Sequence, residues 1–288
     1  MAETDTGVAA GGLGKIIGDA VIAFNHTNVM LPLVTSKQAV KGAITVGFPD
    51  YTKIASSSVD AVADGADQST VVSMTTTARN CTISEHVIRA DVSDLAVMGN
   101  ADDLTGNVGQ ILGNAVAAKL DADLTALGTA FSQTECGAGT ALALDHVFGS
   151  MRQLRAAGAP FPYNLVLSPK QVWGAKGLSG LLVDPSAGAQ ADNPLSQAKL
   201  ANGEVGKIAG FNVYWSDQIE ENVGSGGDAA GFAFSQGGVG LGVGAEGLFR
   251  VREERDEMLR AVNYVCTGFW GEIEIKDAYG VYVLSDVS

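Results

Sequence analysis

Proline is scarce in this sequence, with seven residues, and cysteine is scarcer, with three. Cys81, Cys136 and Cys266 are far apart, odd in number and form no C-x-x-C pair. A disulfide framework or a zinc knuckle is therefore not expected, and each cysteine reads as a small buried hydrophobe. No run approaches the roughly 18 consecutive apolar residues of a membrane span. Residues Met1 to Gly14 lack a basic region followed by an apolar one, so no signal peptide is expected and the setting implied is a reducing cytoplasm. Basic residues are also few, 18 against 32 acids, for a net charge of -14. A surface of that sign repels phosphate and disfavours sequence-specific nucleic-acid binding.

What is present is a folding composition. Apolar residues make up 46% of 288, enough for one large or two modest domains with a real core. Glycine is abundant at 37 and clusters at Gly7 to Gly18 and Gly224 to Gly247. A glycine-rich, proline-poor chain carries pliable loops on a packed frame.

Residues 1 to about 41 are small and polar with scattered aliphatics (Ile16, Ile17, Val21, Ile22, Phe24), which suggests a short amphipathic piece in an extended arm. Ala43 to Pro49 alternates and reads as a strand ended by proline. Ile54 to Thr70 is small, polar and acidic, a loop tip, and Val71 to Val97 returns with β-branched residues. Together they predict an extended hairpin of about fifty residues. Isolated two-stranded ribbons are marginal in water, so this one is expected to find its packing partner on another molecule.

A long helix is predicted from about Asn100 to Phe131, with Asn100 as cap and Asp102 and Asp103 in the first turn. One face carries glycine in its first half (Gly106, Gly109, Gly113) and bulk in its second (Val116, Leu120, Leu124, Leu127, Phe131). Each interior glycine costs roughly 1 kcal/mol against alanine, so three on one stripe want a reason. Either another backbone approaches closely there, or the helix bends or starts later, near Asn114. Asp145 is expected to cap a further helix burying Val147, Phe148, Met151 and Leu154, stopped by Gly158 and Pro160. Leu165 to Leu167 reads as a covered strand, and Ser168-Pro169 and Asn193-Pro194 as helix starts. Ile208 to Trp215, Gly231 to Phe234, the alternating tract Leu248 to Tyr264 and Tyr279 to Leu284 supply further strands. Helices and strands mixed without strict βαβ repetition make the chain α+β.

No catalytic, cofactor-binding or metal-ligating residues are assigned. His26, His86 and His146 are distant from one another, and none pairs with a carboxylate at metal-ligand spacing. Gly177-Leu178-Ser179-Gly180 fails the nucleophile-elbow pattern, and Gly14-Lys15 is followed by Ile16 rather than Ser or Thr. Gly242 to Gly247 spells a dinucleotide-like string, but the tract after it alternates like a strand where that motif needs a helix. The expectation is a protein that is not an enzyme and needs no cofactor.

The order of parts resembles the major capsid proteins of tailed bacteriophages, with their Hong Kong 97-like fold. Tyr163-Asn164-Leu165-Val166-Leu167-Ser168-Pro169-Lys170 is similar to that family's A-domain strand-to-helix turn. Asn202 to Val213 (NGEVGKIAGFNV) is similar to its later G-x-I-x-G-x-x-V segment, and Gly231 to Ser235 and Arg250 to Arg260 follow in the expected order. The resemblance implies an N-terminal arm (1–41), an E-loop hairpin (42–97), a P domain with a spine helix (98–132), an A domain (133–245), and returning P-domain strands with a closing strand (246–288). It implies hexamers and pentamers closing into an icosahedral head around double-stranded DNA, which is contacted non-specifically. It further implies a virion assembled in the host cytoplasm, with a separate scaffolding protein, a portal, room for a decoration protein, and no membrane partner. Some members join an E-loop lysine to a neighbouring asparagine beside a glutamate. The matching residues are Lys53, Asn263 and Glu253, Glu254 or Glu257. Lys53 sits beside Asp50 and a run of serines, a wet setting, so no crosslink is expected. The alternatives are an encapsulin-type shell around cargo enzymes and a cytosolic enzyme with a carboxylate site.

Overall fold

The computed structural model describes residues 20, 28–65, 67–68, 71–99, 104–178, 206–223 and 226–288. The helix expected after Asn193-Pro194 and the capping residues Asn100, Asp102 and Asp103 lie outside them. Thirteen strands are described: β1 (Thr35–Gln38), β2 (Thr45–Tyr51), β3 (Thr76–Thr82), β4 (Ser84–Ser93), β5 (Thr134–Ala141), β6 (Tyr163–Leu167), β7 (Gly206–Ile208), β8 (Phe211–Trp215), β9 (Asp228–Ser235), β10 (Val239–Val243), β11 (Phe249–Asp256), β12 (Ala261–Glu274) and β13 (Gly280–Asp286). The helices are α1 (Asp94–Gly99), α2 (Leu104–Ala126), α3 (Leu144–Ala157) and α4 (Pro169–Trp173).

Six strands form one sheet in the order β5-β13-β9-β6-β8-β7. Its two faces feed two cores. Phe232 and Phe234 of β9 and Val166 of β6 join the core of α2. Tyr163, Leu165 and Leu167 of β6, with Ala233, Val281 and Val283, join Val147 and Leu154 of α3. Because both faces are covered, β6 and β9 are buried at every position, and their sequences run apolar instead of alternating. Ser168 starts α4 as expected. Its hydroxyl accepts the Gln171 N–H while the Gln171 side chain accepts the Ser168 N–H, each at 3.1 Å. The Gln171 amide then donates to Ala229 O at 3.0 Å and Ser285 Oγ at 2.8 Å, tying the helix to β9 and β13.

The second sheet is organised by β12. It pairs antiparallel with β4 along one edge, and with β11 and then β10 on the other, while β1 adds parallel to β10. In β4 the residues His86, Ile88, Ala90 and Val92 are half-buried and alternate with exposed ones, the period-two signature of a strand with one covered face. The cover is α2, whose Val116, Leu120 and Leu124 are buried together with Trp270 and Cys266 of β12.

Several sequence expectations need correction. The returning strand over Val71 to Val97 is two strands: β3 pairs β2, but β4 leaves the hairpin for β12. Alternation marks a strand without naming its neighbour, and β12 offers β4 a ten-residue edge. The long helix gives way to a 3-10 turn at Leu127–Ala130. Its glycine face does admit a backbone: a Cβ at Gly113 would lie 2.3 Å from the carbonyl oxygen of Ala20. Gly109 is buried as well, whereas the packing of Gly106 is outside the described residues. Ala143, not Asp145, is the cap position of α3, and Asp145 lies in its first turn. Phe148 is half-exposed, and the buried face is Val147, Ser150 and Leu154. Gly158 ends this helix in the left-handed conformation, φ 71°. In the sheets, β1 reaches β12 through β10, and β13 joins the six-stranded sheet.

Candidate assembly surfaces

The chemistry-bearing residues do not converge. Among the described residues, no group of three or more His, Cys, Asp and Glu could hold a metal ion. Cys81 and Cys266 are buried, Cys136 is half-buried, and all three are free. His86 stacks on Trp270 with ring centroids 4.1 Å apart. The groove they line against Val116 and Lys119 encloses about 470 Å³. Two of its polar groups are tied to Asp123 beside it: the Trp270 indole N–H donates to that carboxylate at 3.1 Å, and Lys119 bonds it at 2.6 Å. The string Gly242 to Gly247 runs from the end of β10 toward β11, so a strand follows it and not a helix.

The hairpin β2–β3 has two unlike ends. Its base is fixed to its own chain. Val46, Phe48 and Cys81 pack with Ala39 and Ile275. Gly242 and Gly271 make room, since a Cβ at Gly271 would lie 2.1 Å from Thr82 O, and one at Gly242 would lie 3.0 Å from Cys81 Sγ. Lys276 bonds Asp50 at 3.1 Å and Tyr51 O at 3.2 Å, and Lys37 bonds Gly47 O at 2.7 Å. The hairpin's self-sufficiency was therefore underestimated at this end. Beyond Tyr51 the described residues are exposed almost throughout until Asn80, among them Val59, Val71 and Met74. Backbone pairing stops near Thr52, whose N–H donates to Thr75 O at 3.2 Å.

A second bare surface lies where β4, β11 and β12 end together. Ser93 starts α1 by accepting the Ala96 N–H at 3.2 Å, and the Asp94 N–H donates to Arg260 O at 3.0 Å. Arg255 grips the Asp94 carboxylate with its two terminal guanidinium nitrogens, at 2.8 and 3.3 Å, and its Nε bonds Glu257 at 3.0 Å. On this ion-paired frame Leu95, Met98, Met258 and Leu259 are exposed. Arg250, Arg252, Arg255 and Arg260 face Glu253, Glu254, Asp256 and Glu257 in the sequence, a neutral stretch on a chain of net charge -14. The helix α1 was missed in the sequence because its residues were read into the returning strand; Ser93-Asp94 is the start signal that reveals it.

The residues matched to the crosslink are placed apart. Lys53 is exposed, and a Cβ at Gly158 would lie 2.6 Å from its Nζ, so its amine sits at the C-terminal end of α3, where the helix dipole favours a cation. Asn263 is buried in β12 between Glu254 and Asp91, and its Oδ1 lacks a hydrogen-bond partner among the described residues. Glu253 stands opposite Tyr264, whose hydroxyl is pushed up by burial and by that carboxylate. Within one chain Asn263 and Glu254 meet, and Lys53 belongs to the hairpin.

No protein-family model and no curated protein matches the sequence. Solved structures do match along nearly its full length. The capsid of Ralstonia phage GP4 is similar at TM-score 0.65 and 11% identity, over 89% of this chain and 87% of that one. The capsid of the cyanophage P-SCSP1u is similar at TM-score 0.64 and 15% identity, over 91% and 89%. A virus-like particle from Pyrococcus furiosus is similar at TM-score 0.59 and 12% identity, over 94% and 98%. An α+β chain with an E-loop-like hairpin, a long helix under a sheet built around β12 and a separate six-stranded sheet, similar to these structures over about nine-tenths of its length, has the Hong Kong 97-like fold.

Proposed function

We propose that the chain is the major capsid protein of a tailed bacteriophage, a structural protein without catalytic activity. In this reading it assembles as hexamers and pentamers into an icosahedral head around double-stranded DNA. The observation that carries the reading is the pair of unpartnered surfaces, the hairpin tip and the ion-paired apolar end of the β12 sheet, on a chain similar over about nine-tenths of its length to capsid structures. Rings of identical subunits need surfaces of this kind, each directed at a different patch of its neighbour. The five segments then take the roles of arm, E-loop, spine and P domain, A domain, and returning strands. A strongly acidic lining would let packed DNA slide without sticking. A separate scaffolding protein and a portal are the further partners of this reading, with room for a decoration protein, assembly in the host cytoplasm and a final place in the virion.

The test is particle formation by the expressed protein. Negative-stain images and light scattering are expected to give closed shells of megadalton mass; a species of 29.5 kDa or a small oligomer would refute the proposal. The similarity to the Pyrococcus furiosus particle supports one second reading, an encapsulin-type compartment. Particles from the native source that carry cargo protein and no nucleic acid would favour it. We further propose that the shell is not covalently locked, because Lys53 is exposed rather than held in a dry site. Mature particles boiled in detergent should run as one 29.5 kDa band; a ladder that vanishes in Lys53→Ala would overturn this.

A further inference from the structure

Asp121 is a buried acid that none of these surfaces uses. It lies on α2 with 2% of its surface exposed. Its carboxylate accepts two backbone N–H groups from the segment that leads into β1, Val29 at 2.8 Å and Met30 at 3.0 Å. Those donors precede the 3-10 turn Leu31–Leu33, and the next N–H, of Leu31, is taken by Asn28 Oδ1 at 2.7 Å. The Met30 side chain is fully buried against the helix core. One carboxylate thus satisfies the polar backbone of a segment whose side chains are otherwise held by apolar contact.

We propose that Asp121 is a pH-sensitive latch that seats residues 28–33 against the long helix more firmly in acid than at neutral pH. Among the described residues the charges around it are few. Residues 28–34 bring no titratable side chain. The loop after β8 brings Asp217, whose charge opposes that of Asp121, and this loop is tied to the helix by the Thr125 hydroxyl, 3.4 Å from Gln218 O. On α2 itself Lys119 bonds Asp123, whose carboxylate also accepts the Trp270 indole N–H. Burial first, and Asp217 in smaller measure, push the Asp121 carboxyl up from 3.8 to about 6, against the opposing pull of the two N–H groups.

The sign follows by linkage. Releasing the segment returns Asp121 to water and to the ordinary carboxylate range, so the seated form holds its proton more tightly. As pH falls through about 6 the seated form gains, and above it a buried anion favours release.

Amide hydrogen exchange of the full chain tests this. The opening constant of the Val29 and Met30 amides, corrected for intrinsic rates and referenced to β9 amides, should fall roughly tenfold between about pH 7.5 and about pH 5. Asp121→Asn should abolish that dependence. Asp217→Asn, which leaves the latch in place, should move its midpoint to lower pH. An opening constant unchanged by pH, a dependence retained in Asp121→Asn, or a midpoint unmoved in Asp217→Asn would each overturn the proposal.

Discussion

Strands β9 and β3 are of similar length and opposite circumstance. All eight residues of β9 are buried, whereas β3 buries one of seven, Cys81. The first draws its stability from its own chain, with helices on both faces of its sheet. The second hydrogen-bonds to β2 and meets its own chain only at the base. Sequence composition reflects this: β9 is Asp-Ala-Ala-Gly-Phe-Ala-Phe-Ser, and β3 is Thr-Thr-Ala-Arg-Asn-Cys-Thr. A strand of threonine and exposed backbone has a shape to offer, and little burial to hold it.

The contrast can be broken at its strong end first. Phe232 is fully buried on β9, stacked on Phe234 with centroids 5.2 Å apart and set against Gly128. Phe232→Ala should cost about 3–5 kcal/mol in denaturant unfolding. A middle case is the glycine face of α2. A Cβ at Gly113 meets the backbone of Ala20, so Gly113→Ala should cost about 1–3 kcal/mol as overpacking, outweighing the helix-propensity gain of about 1 kcal/mol. Gly109→Leu, also at a buried position, should shift thermal melting in the same direction. The smallest effect on stability is expected at the weak end. Deleting about Ile54 to Thr70, where the described residues are almost all exposed, should leave the melt of the isolated subunit within about 0.5 kcal/mol of the parent. The same deletion should abolish closed shells in micrographs. Normal particles from it would show that the tip is dispensable.

Local chemistry was legible in the sequence, and distant pairing was not. Ser168-Pro169 announced α4 because its capping box needs only residues three apart. The stripe Val116, Leu120 and Leu124 announced the covered face of α2, but its glycines were equally compatible with a close backbone and with a bent or later-starting helix, and only the structure brings Ala20 against Gly113. The fate of β4 was hidden, since nothing in Ser84–Ser93 specifies β12 across some 170 residues of chain. Phe148 misled because an apolar residue at helical spacing reads as core, whereas here it is half-exposed on α3. The two bare surfaces divide in the same way. The polar hairpin tip was visible as a run of Ser and Asp. The apolar end of the β12 sheet arises only when α1 and the β11–β12 turn meet through Arg255 and Asp94.

The place of β12 in its sheet also sets a schedule for synthesis. It borders β4, β10 and β11, and β13 borders both β5 and β9, yet these two are the last of the thirteen strands to be translated. A nascent chain that has emerged only through β9 holds β1 and β4 without the β10, β11 and β12 that join them, and the paired run β9-β6-β8-β7 without the β13 that links it to β5. Neither sheet can close before that point, and the long sequence separations make closure slow. A prematurely terminated chain therefore lacks both the β12 frame and its ion-paired end.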